Sequence, residues 1–86
     1  MYEIVLTRQA AKDADKLERH HLKSKAMRLI RLIQTDPFAY PPPFEHLGGK
    51  MKGLISRRIN RQHRLVYEVF EPEKVIKIYR MWTHYE

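Results

Sequence analysis

Residues 54–70 read LISRRINRQHRLVYEVF, and this stretch decides the fold. Leu54–Ile59 and His63–Phe70 are rich in β-branched and aromatic residues, a composition that is typical of β-strands. The three residues between them, NRQ, form a polar segment of hairpin-loop length. We therefore predict that the two strands are antiparallel neighbours joined by a short turn.

The two faces of this hairpin differ in character. One face is apolar apart from Arg57 and His63, so we expect it to meet the helices. Its apolar members are Ile55, Ile59, Leu65, Tyr67 and Val69. A register shifted by one residue would exchange the two faces.

On the other face, Arg58 is predicted to lie directly opposite Arg64. Like charges in that position destabilise a sheet, so a purely structural strand pair has no reason to keep them. Two guanidinium groups that converge on one point suit a phosphate, because each can donate two parallel hydrogen bonds to it. The alternative is that Glu68, on the same face, merely neutralises the pair.

Periodicity places the remaining elements on both sides of the hairpin. They are a strand over Tyr2–Leu6, helices over Arg8–Arg19 and from Leu22 to Asp36, and a last strand over Lys74–Trp82. Thr7 stands where a helix N-cap belongs, and Pro37 ends the second helix. The order predicts one α+β domain over residues 1–86, β-α-α-β-β-β, with a helical hairpin on one face of a small, largely antiparallel twisted sheet.

Residues 37–53 connect the second helix to the hairpin and are predicted to contain neither a helix nor a strand. Pro41-Pro42-Pro43 favours the extended polyproline II conformation and stiffens this segment. Glu45 lies near its end, close to the predicted sheet. Long connections in compact domains often carry function, so the segment is a candidate to hold site residues.

The chain of 86 residues is basic, with 17 Lys and Arg against 10 Asp and Glu. No acidic residue occurs between Glu45 and Glu68, and six Lys and Arg residues fall in that interval. Such a cluster predicts a polyanion-binding surface, because Lys and Arg displace counterions from phosphates. A solvated basic face is the plain alternative, and a membrane surface fits less well because these residues lie on strands.

Several classes of protein are excluded by composition. The absence of cysteine excludes disulfides, thiolate zinc sites and thiol catalysis. No apolar run approaches the ~20 residues of a membrane span, and the first residues, MYEIVLTRQ, have no signal-peptide core. We therefore expect a cytoplasmic protein that does not associate with membranes.

One carboxylate, one imidazole and the arginines form a minimal set for cleaving RNA. The carboxylate of Glu45 can accept the 2′-hydroxyl proton, an arginine can steady the pentacoordinate phosphate, and His84 can protonate the leaving 5′-oxygen. This chemistry needs no metal or cofactor, and we predict none. His20 and His21 are adjacent, without the i, i+4 spacing of two ligands on one helical face.

These motifs resemble those of the YoeB/Txe toxins of the RelE superfamily, which belong to type II toxin–antitoxin systems. The matching stretches are Glu45-His46-Leu47, Gly53, Ser56–Asn60, His63–Val69 and the terminal His84-Tyr85. The resemblance implies a RelE-like fold and a ribosome-dependent endoribonuclease, or mRNA interferase, that cuts mRNA in the ribosomal A site. It also implies inhibition by an acidic, YefM-like antitoxin, and members of the family occur as monomers and as homodimers.

The resemblance assigns roles by position. Glu45 corresponds to the general base, Arg64 to the residue that stabilises the transition state, and His84 to the general acid. Arg58 and Tyr85 correspond to residues that contact the substrate.

Two features depart from the family pattern. A lysine is usual three residues after the glutamate, where this chain has Gly48, so we expect Lys50, with Lys52, to contact the substrate instead. The chain also runs past the usual His-Tyr end to Glu86.

Two non-catalytic functions are the alternatives. ParE-like relatives poison DNA gyrase without hydrolysing nucleic acid, but they lack the set of Glu45, Arg64, His84 and Tyr85. An inactive module that binds RNA or the ribosome is the other alternative, and Gly48 and Glu86 would favour it.

Overall fold

A computed structural model describes residues 1–82 of the chain. Its elements are β1 (Glu3–Leu6), α1 (Arg8–Arg19), α2 (Lys23–Thr35), β2 (Phe44–His46), β3 (Ile55–Arg58), β4 (Arg64–Phe70) and β5 (Val75–Arg80), with a short 3-10 turn at Gly49–Met51. Within residues 1–82 the strands form one mixed sheet in the order β1-β5-β4-β3-β2, in which only the β1–β5 pair is parallel. The predicted α+β class, with two helices on a largely antiparallel sheet, is confirmed.

Strand β2 was not expected, because residues 37–53 were predicted to contain no strand. Phe44–His46 pairs antiparallel with β3 and places Glu45 opposite Ser56. A strand of three residues directly after a proline run has too little alternation to be recognised. It forms because its backbone completes the free edge of β3, a contact between distant parts of the chain.

The central hairpin has the predicted register. Ile55 lies opposite Tyr67, and Arg58 lies opposite Arg64. On the face predicted to be apolar, Val69 is half-buried and the other four apolar residues are buried, together with Arg57 and His63 at 1% and 5% exposure. Ser56 and Val66, on the opposite face, are also buried, although the hairpin pattern alone placed them outside the core.

Both helices begin and end where the sequence indicates. The Thr7 hydroxyl accepts a hydrogen bond from the Ala10 amide at 3.0 Å, which caps α1. Helix α2 ends at Thr35, with Asp36 as its C-cap directly before Pro37, and the Asp36 carboxylate accepts a hydrogen bond from the Phe38 amide. Neither helix in residues 1–82 is long and apolar enough to cross a membrane.

The core lies between the helices and the sheet. Its fully or nearly fully buried apolar residues are Ala10, Leu17, Ala26, Ile30, Ile33, Ile55, Ile59, Leu65, Tyr67, Ile76, Ile78 and Met81. Each large aliphatic side chain in this set stabilises the fold by about 1.5–3 kcal/mol through burial. The opposite face of β3 and β4 is thereby free to carry charged side chains.

Candidate active site

An open cleft of about 370 Å³ lies on the sheet face that points away from the core. It is lined by Pro42, Pro43, Phe44, Glu45, Ser56, Arg58 and Arg64. The prolines and β2 form one wall, and β3 and β4 supply the arginines. Strand alternation explains the arrangement, because residues that share a face of neighbouring strands converge across the sheet.

Glu45 and Arg64 are in contact across β3. Arg64 Nη1 lies 3.5 Å from Glu45 Oε1 and 3.4 Å from the Ser56 hydroxyl, which lies between them. The Glu45 side chain is 67% exposed and that of Arg64 is 25% exposed. An ion pair so open to solvent stabilises the fold by at most about 1 kcal/mol, so a bound substrate can separate it at small cost.

Arg58 lies directly opposite Arg64 and is exposed. Within residues 1–82, no carboxylate lies within ion-pair distance of Arg58. Within the described residues, Glu68 forms no ion pair with Arg58 or Arg64 and so does not neutralise them. Its Oε1 accepts a hydrogen bond from the Tyr79 hydroxyl at 2.9 Å.

The hydrogen bond to Glu68 also affects Tyr79. Burial and the hydrogen bond to the Glu68 carboxylate raise the pKa of Tyr79, because both disfavour the phenolate. The cleft therefore presents two neighbouring guanidinium groups and one exposed carboxylate. This combination can bind a phosphate and accept a proton beside it.

The two lysines assigned to substrate binding lie apart from this cleft. Lys50 belongs to the 3-10 turn and Lys52 follows it; both are exposed, and neither lines the cleft. Gly48 is also exposed, with nothing within 4 Å of where a Cβ would stand. His84 and Tyr85, assigned as general acid and substrate contact, lie outside the described residues, as does Glu86.

The chain that leads toward His84 is held by a buried carboxylate on α1. Asp13 is fully buried and accepts hydrogen bonds from Arg80 Nε at 2.8 Å, the Met81 amide at 3.0 Å and Gln9 Nε2 at 3.0 Å. Burial by itself would raise the pKa of Asp13, but these hydrogen bonds outweigh it and the pKa is lowered. Asp13 is therefore an ionised anchor for the end of β5.

Trp82, the last described residue, is half-buried against side chains from the C-terminal end of α1 and from the β3–β4 turn. Its ring stacks on His63 with centroids 4.1 Å apart, and His20 lies on it at 4.9 Å. Lys16 Nζ lies 5.9 Å from the same ring. The segment before His84 is thus packed against both α1 and the β3–β4 turn.

Two residues contribute to this region without having been predicted as site residues. Ser56 belongs to the cleft, and its signal was strand alternation, which places it two residues before Arg58 on the same face, although no role was assigned to it. Asp13 lies on the same helical face as Ala10 and Leu17, so an acidic residue inside an apolar stripe was the available signal. Within residues 1–82, no group of three His, Asp or Glu side chains is placed to hold a metal ion.

A family model described as "YoeB-like toxin of bacterial type II toxin-antitoxin system" matches residues 8–85. The chain belongs to this family of YoeB-like toxins. The match covers every cleft residue as well as His84 and Tyr85. The resemblance that the sequence motifs indicated is therefore confirmed.

Individual YoeB relatives agree with this assignment. Toxin YoeB of Mycobacterium bovis is 48% identical over 46 residues, and Toxin YoeB of Synechocystis is 42% identical over 48 residues. The first alignment covers 54% of this chain and 54% of the relative, and the second covers 56% of each. The aligned part of the chain thus spans about half the length of the curated relatives it matches.

Solved structures of YoeB toxins share the whole fold. The YoeB/ParE toxin from Agrobacterium tumefaciens superposes with a TM-score of 0.88 at 32% identity, covering 96% of this chain and 99% of the other. The toxin of the YoeB-YefM complex from Staphylococcus aureus gives 0.82 at 30% identity, covering 99% of both chains. YafQ from E. coli strain BL21(DE3) gives 0.81 at 20% identity over 98% of this chain and 94% of its own, which shows a common fold alone.

Proposed function

We propose that this YoeB-family toxin is an endoribonuclease that cuts mRNA in the ribosomal A site and thereby stops translation. The observation that carries the proposal is the contact of Glu45 with Arg64 at 3.5 Å, beside Arg58, in a cleft open to a polyanion. A base and two phosphate-binding groups are thus already close together. The family to which the chain belongs supports the same function.

In the proposed reaction, the ribose of the message supplies its own nucleophile. Glu45 accepts the 2′-hydroxyl proton, and the 2′-oxygen attacks the adjacent phosphorus. Arg64 and Arg58 stabilise the charge on the pentacoordinate phosphate, where donors aimed at developing charge are most effective. The bond from phosphorus to the 5′-oxygen then breaks, which leaves a 2′,3′-cyclic phosphate on one fragment and a 5′-hydroxyl on the other.

His84 is proposed as the acid that donates a proton to the leaving 5′-oxygen. Tyr85, Lys50 and Lys52 are proposed to contact the RNA outside the reacting group. This mechanism requires no metal or cofactor, because the base, the acid and the cations are all side chains.

The exposure of the site favours dependence on the ribosome. Glu45 is 67% exposed, and the cleft is open on one side, so the toxin alone does not hold a flexible RNA in a single geometry. A ribosome that fixes the message in its A site would supply that order. Correct orientation of reacting groups lowers a barrier by several kcal/mol, up to roughly 7–11 in favourable cases.

We further propose an acidic antitoxin of the YefM type as partner. Two observations support this. The chain carries a net charge of +7, and a relative that shares its fold at 30% identity was solved as a YoeB-YefM complex. A second Staphylococcus aureus structure is a YoeB dimer.

Primer extension on ribosome-bound mRNA tests the function. We expect the wild-type toxin to cut within the A-site codon, and Glu45→Gln to lower the rate about 10²–10⁴-fold, the usual contribution of general base catalysis. Glu73→Gln, an exposed glutamate in the turn before β5, is the matched control and is expected to cut at the wild-type rate. Translation arrest without any cleavage would instead support a non-catalytic poison.

A further inference from the structure

Arg57 is a buried cation on the core side of β3, between two residues that line the cleft on the other side. Its side chain is 1% exposed, whereas Ser56 and Arg58 contribute to the cleft lining. In the sequence, Arg57 is an exception on an otherwise apolar strand face, and no partner for it could be predicted there. The structure gives it four hydrogen-bond acceptors.

Three of these acceptors are backbone carbonyls of the proline segment, which we define as residues 37–43. Arg57 Nη1 donates to the Pro42 carbonyl at 2.7 Å. Arg57 Nη2 donates to the carbonyls of Ala39 at 2.7 Å and Pro37 at 3.2 Å. One guanidinium therefore joins both ends of the segment to β3.

Tyr67 on β4 completes this network. Its hydroxyl accepts a hydrogen bond from Arg57 Nε at 2.9 Å and donates one to the Pro37 carbonyl at 2.8 Å. Burial raises the pKa of Tyr67 although the Arg57 hydrogen bond opposes it, so the hydroxyl keeps its proton and remains a donor. The guanidinium also lies 4.6 Å from the centroid of the Phe44 ring.

A cation in this position is costly for the core. Within residues 1–82, no carboxylate lies within ion-pair distance of Arg57, so its charge is balanced by carbonyl dipoles and an aromatic face. An apolar side chain of similar size would fill the same space without desolvating a charge. An apolar residue, however, could not donate hydrogen bonds to the carbonyls of the proline segment. The prolines of this segment have no amide hydrogen, so they cannot anchor it by donating hydrogen bonds of their own.

The proline segment is in turn the wall of the cleft. Pro42 and Pro43 line it, Phe44 begins β2 directly after them, and Glu45 follows. The Pro42 carbonyl, one of the two that Arg57 binds at 2.7 Å, is thus three residues before the proposed base. Movement of the segment away from β3 would move Glu45 relative to Arg64.

We propose that Arg57 is a positioning residue that fixes the proline segment against β3 and so sets the distance between the Glu45 carboxylate and Arg64. This inference rests on the proposed function for its catalytic consequence, but the placement of β2 is independent of any activity. Arg57 would act through Glu45, without touching the RNA. Tyr67 has the same positioning role, because its hydroxyl links Arg57 to the Pro37 carbonyl.

The test compares Arg57→Lys with Arg61→Lys. Lysine keeps the charge at position 57 but has a single nitrogen that cannot span three carbonyls and a hydroxyl. Arg61, exposed in the β3–β4 turn, is the matched control for losing a guanidinium. Tyr67→Phe keeps the buried ring and removes only the hydroxyl, so it serves as an independent variant if Arg57→Lys does not fold.

Two readouts are measured under conditions where every variant is fully folded. The first is the backbone amide NMR signals of residues 44–47 in the free toxin, which we expect to shift in Arg57→Lys and in Tyr67→Phe but not in Arg61→Lys. The second is A-site cleavage, where we expect kcat to fall about 10²-fold in Arg57→Lys with KM nearly unchanged, because displacement of a reacting group by about 1 Å has that effect. A smaller fall of the same kind is expected in Tyr67→Phe.

The two readouts separate this inference from the proposed function. Unchanged amide signals in Arg57→Lys and Tyr67→Phe would overturn the inference whatever the activity. A loss that appears in KM alone, or equally in Arg61→Lys, would also overturn it. If the wild-type toxin cuts no message, the proposed function fails, while shifted amides in the two variants would still establish that Arg57 positions β2.

Discussion

Arg58 and Arg64 lie directly opposite each other on β3 and β4, on the face of the sheet that carries the cleft. Cross-strand pairs of like charge destabilise a sheet, and the exposed Glu45 carboxylate, at 3.5 Å from Arg64, offsets this repulsion only weakly. The Glu68 carboxylate accepts a hydrogen bond from the Tyr79 hydroxyl and does not offset the repulsion further. The arrangement is therefore explained better by a phosphate ligand than by the stability of the free protein.

The first prediction concerns Arg64→Ala. We expect cleavage to fall about 10²–10³-fold, because removal of one charge-assisted donor costs about 2.7–4 kcal/mol of transition-state stabilisation. The free energy of unfolding is expected to stay the same or rise slightly, since the repulsion with Arg58 is relieved. Single-turnover cleavage on programmed ribosomes, paired with urea unfolding, measures both, and Arg61→Ala is the control. A wild-type cleavage rate in Arg64→Ala would make Arg64 a structural residue.

The second prediction concerns Asp13 and pH. The pKa of Asp13 is lowered in the folded protein, so its ionised form stabilises the fold above the ordinary value near 3.9, and this stabilisation is lost as the pH falls through the folded pKa. Asp13→Ala is expected to cost about 3 kcal/mol near neutral pH, because it leaves Arg80 and the Met81 amide without their acceptor. The difference from wild type is expected to shrink below about pH 4.

Urea unfolding at a series of pH values checks this prediction. Asp15→Ala is the matched control, because Asp15 is an exposed carboxylate on the same helix. Asp13→Asn retains an oxygen acceptor and is expected to lose less stability than Asp13→Ala. A cost for Asp13→Ala that does not change with pH would show that packing, and not the charge, accounts for the stabilisation.

Much of the fold could be predicted because its decisive signals are local. The turn between β3 and β4 sets the register, so the opposition of Arg58 and Arg64 follows from counting residues along the two strands. The helix ends at Thr7 and Pro37 are equally local, because a cap and a proline act on adjacent backbone.

Several features that could not be predicted depend on backbone groups brought together from distant parts of the chain. Strand β2 forms by pairing with β3, and its three residues have no periodicity of their own. The acceptors of Arg57 are carbonyls, which every residue possesses and which therefore leave no mark in the sequence. The hydrogen bond from the Met81 amide to Asp13 could not be predicted for the same reason, because every residue except proline has a backbone amide.

The third prediction concerns the antitoxin. An acidic segment that occupies the cleft would neutralise Arg58 and Arg64, so we expect Arg58→Ala to weaken binding of the co-encoded antitoxin more than Arg61→Ala does. The difference between the two variants is expected to narrow at high salt, because the interaction is electrostatic. Bound antitoxin also raises the toxin's apparent stability, by about 2.7 kcal/mol at 100 times its Kd.

Titration calorimetry at two salt concentrations measures these affinities. Equal affinity of the antitoxin for Arg58→Ala, Arg61→Ala and the wild-type toxin would contradict occlusion of the cleft. In that case inhibition would have to act elsewhere, by preventing the toxin from entering the ribosome.

The last prediction separates the proposed acid from the proposed base. A leaving 5′-oxygen needs a proton, whereas a 5′-sulfur leaves as a stable thiolate without one, so an RNA with sulfur at that position no longer needs a general acid. We expect His84→Ala to cleave the sulfur substrate at close to the wild-type rate while it cleaves normal RNA slowly. Glu45→Ala is expected to stay slow on both, because the 2′-hydroxyl must lose its proton in either case. Single-turnover rates on ribosome-bound messages that differ in this one atom give the comparison. Rescue of both variants, or of neither, would contradict the assignment of Glu45 as base and His84 as acid.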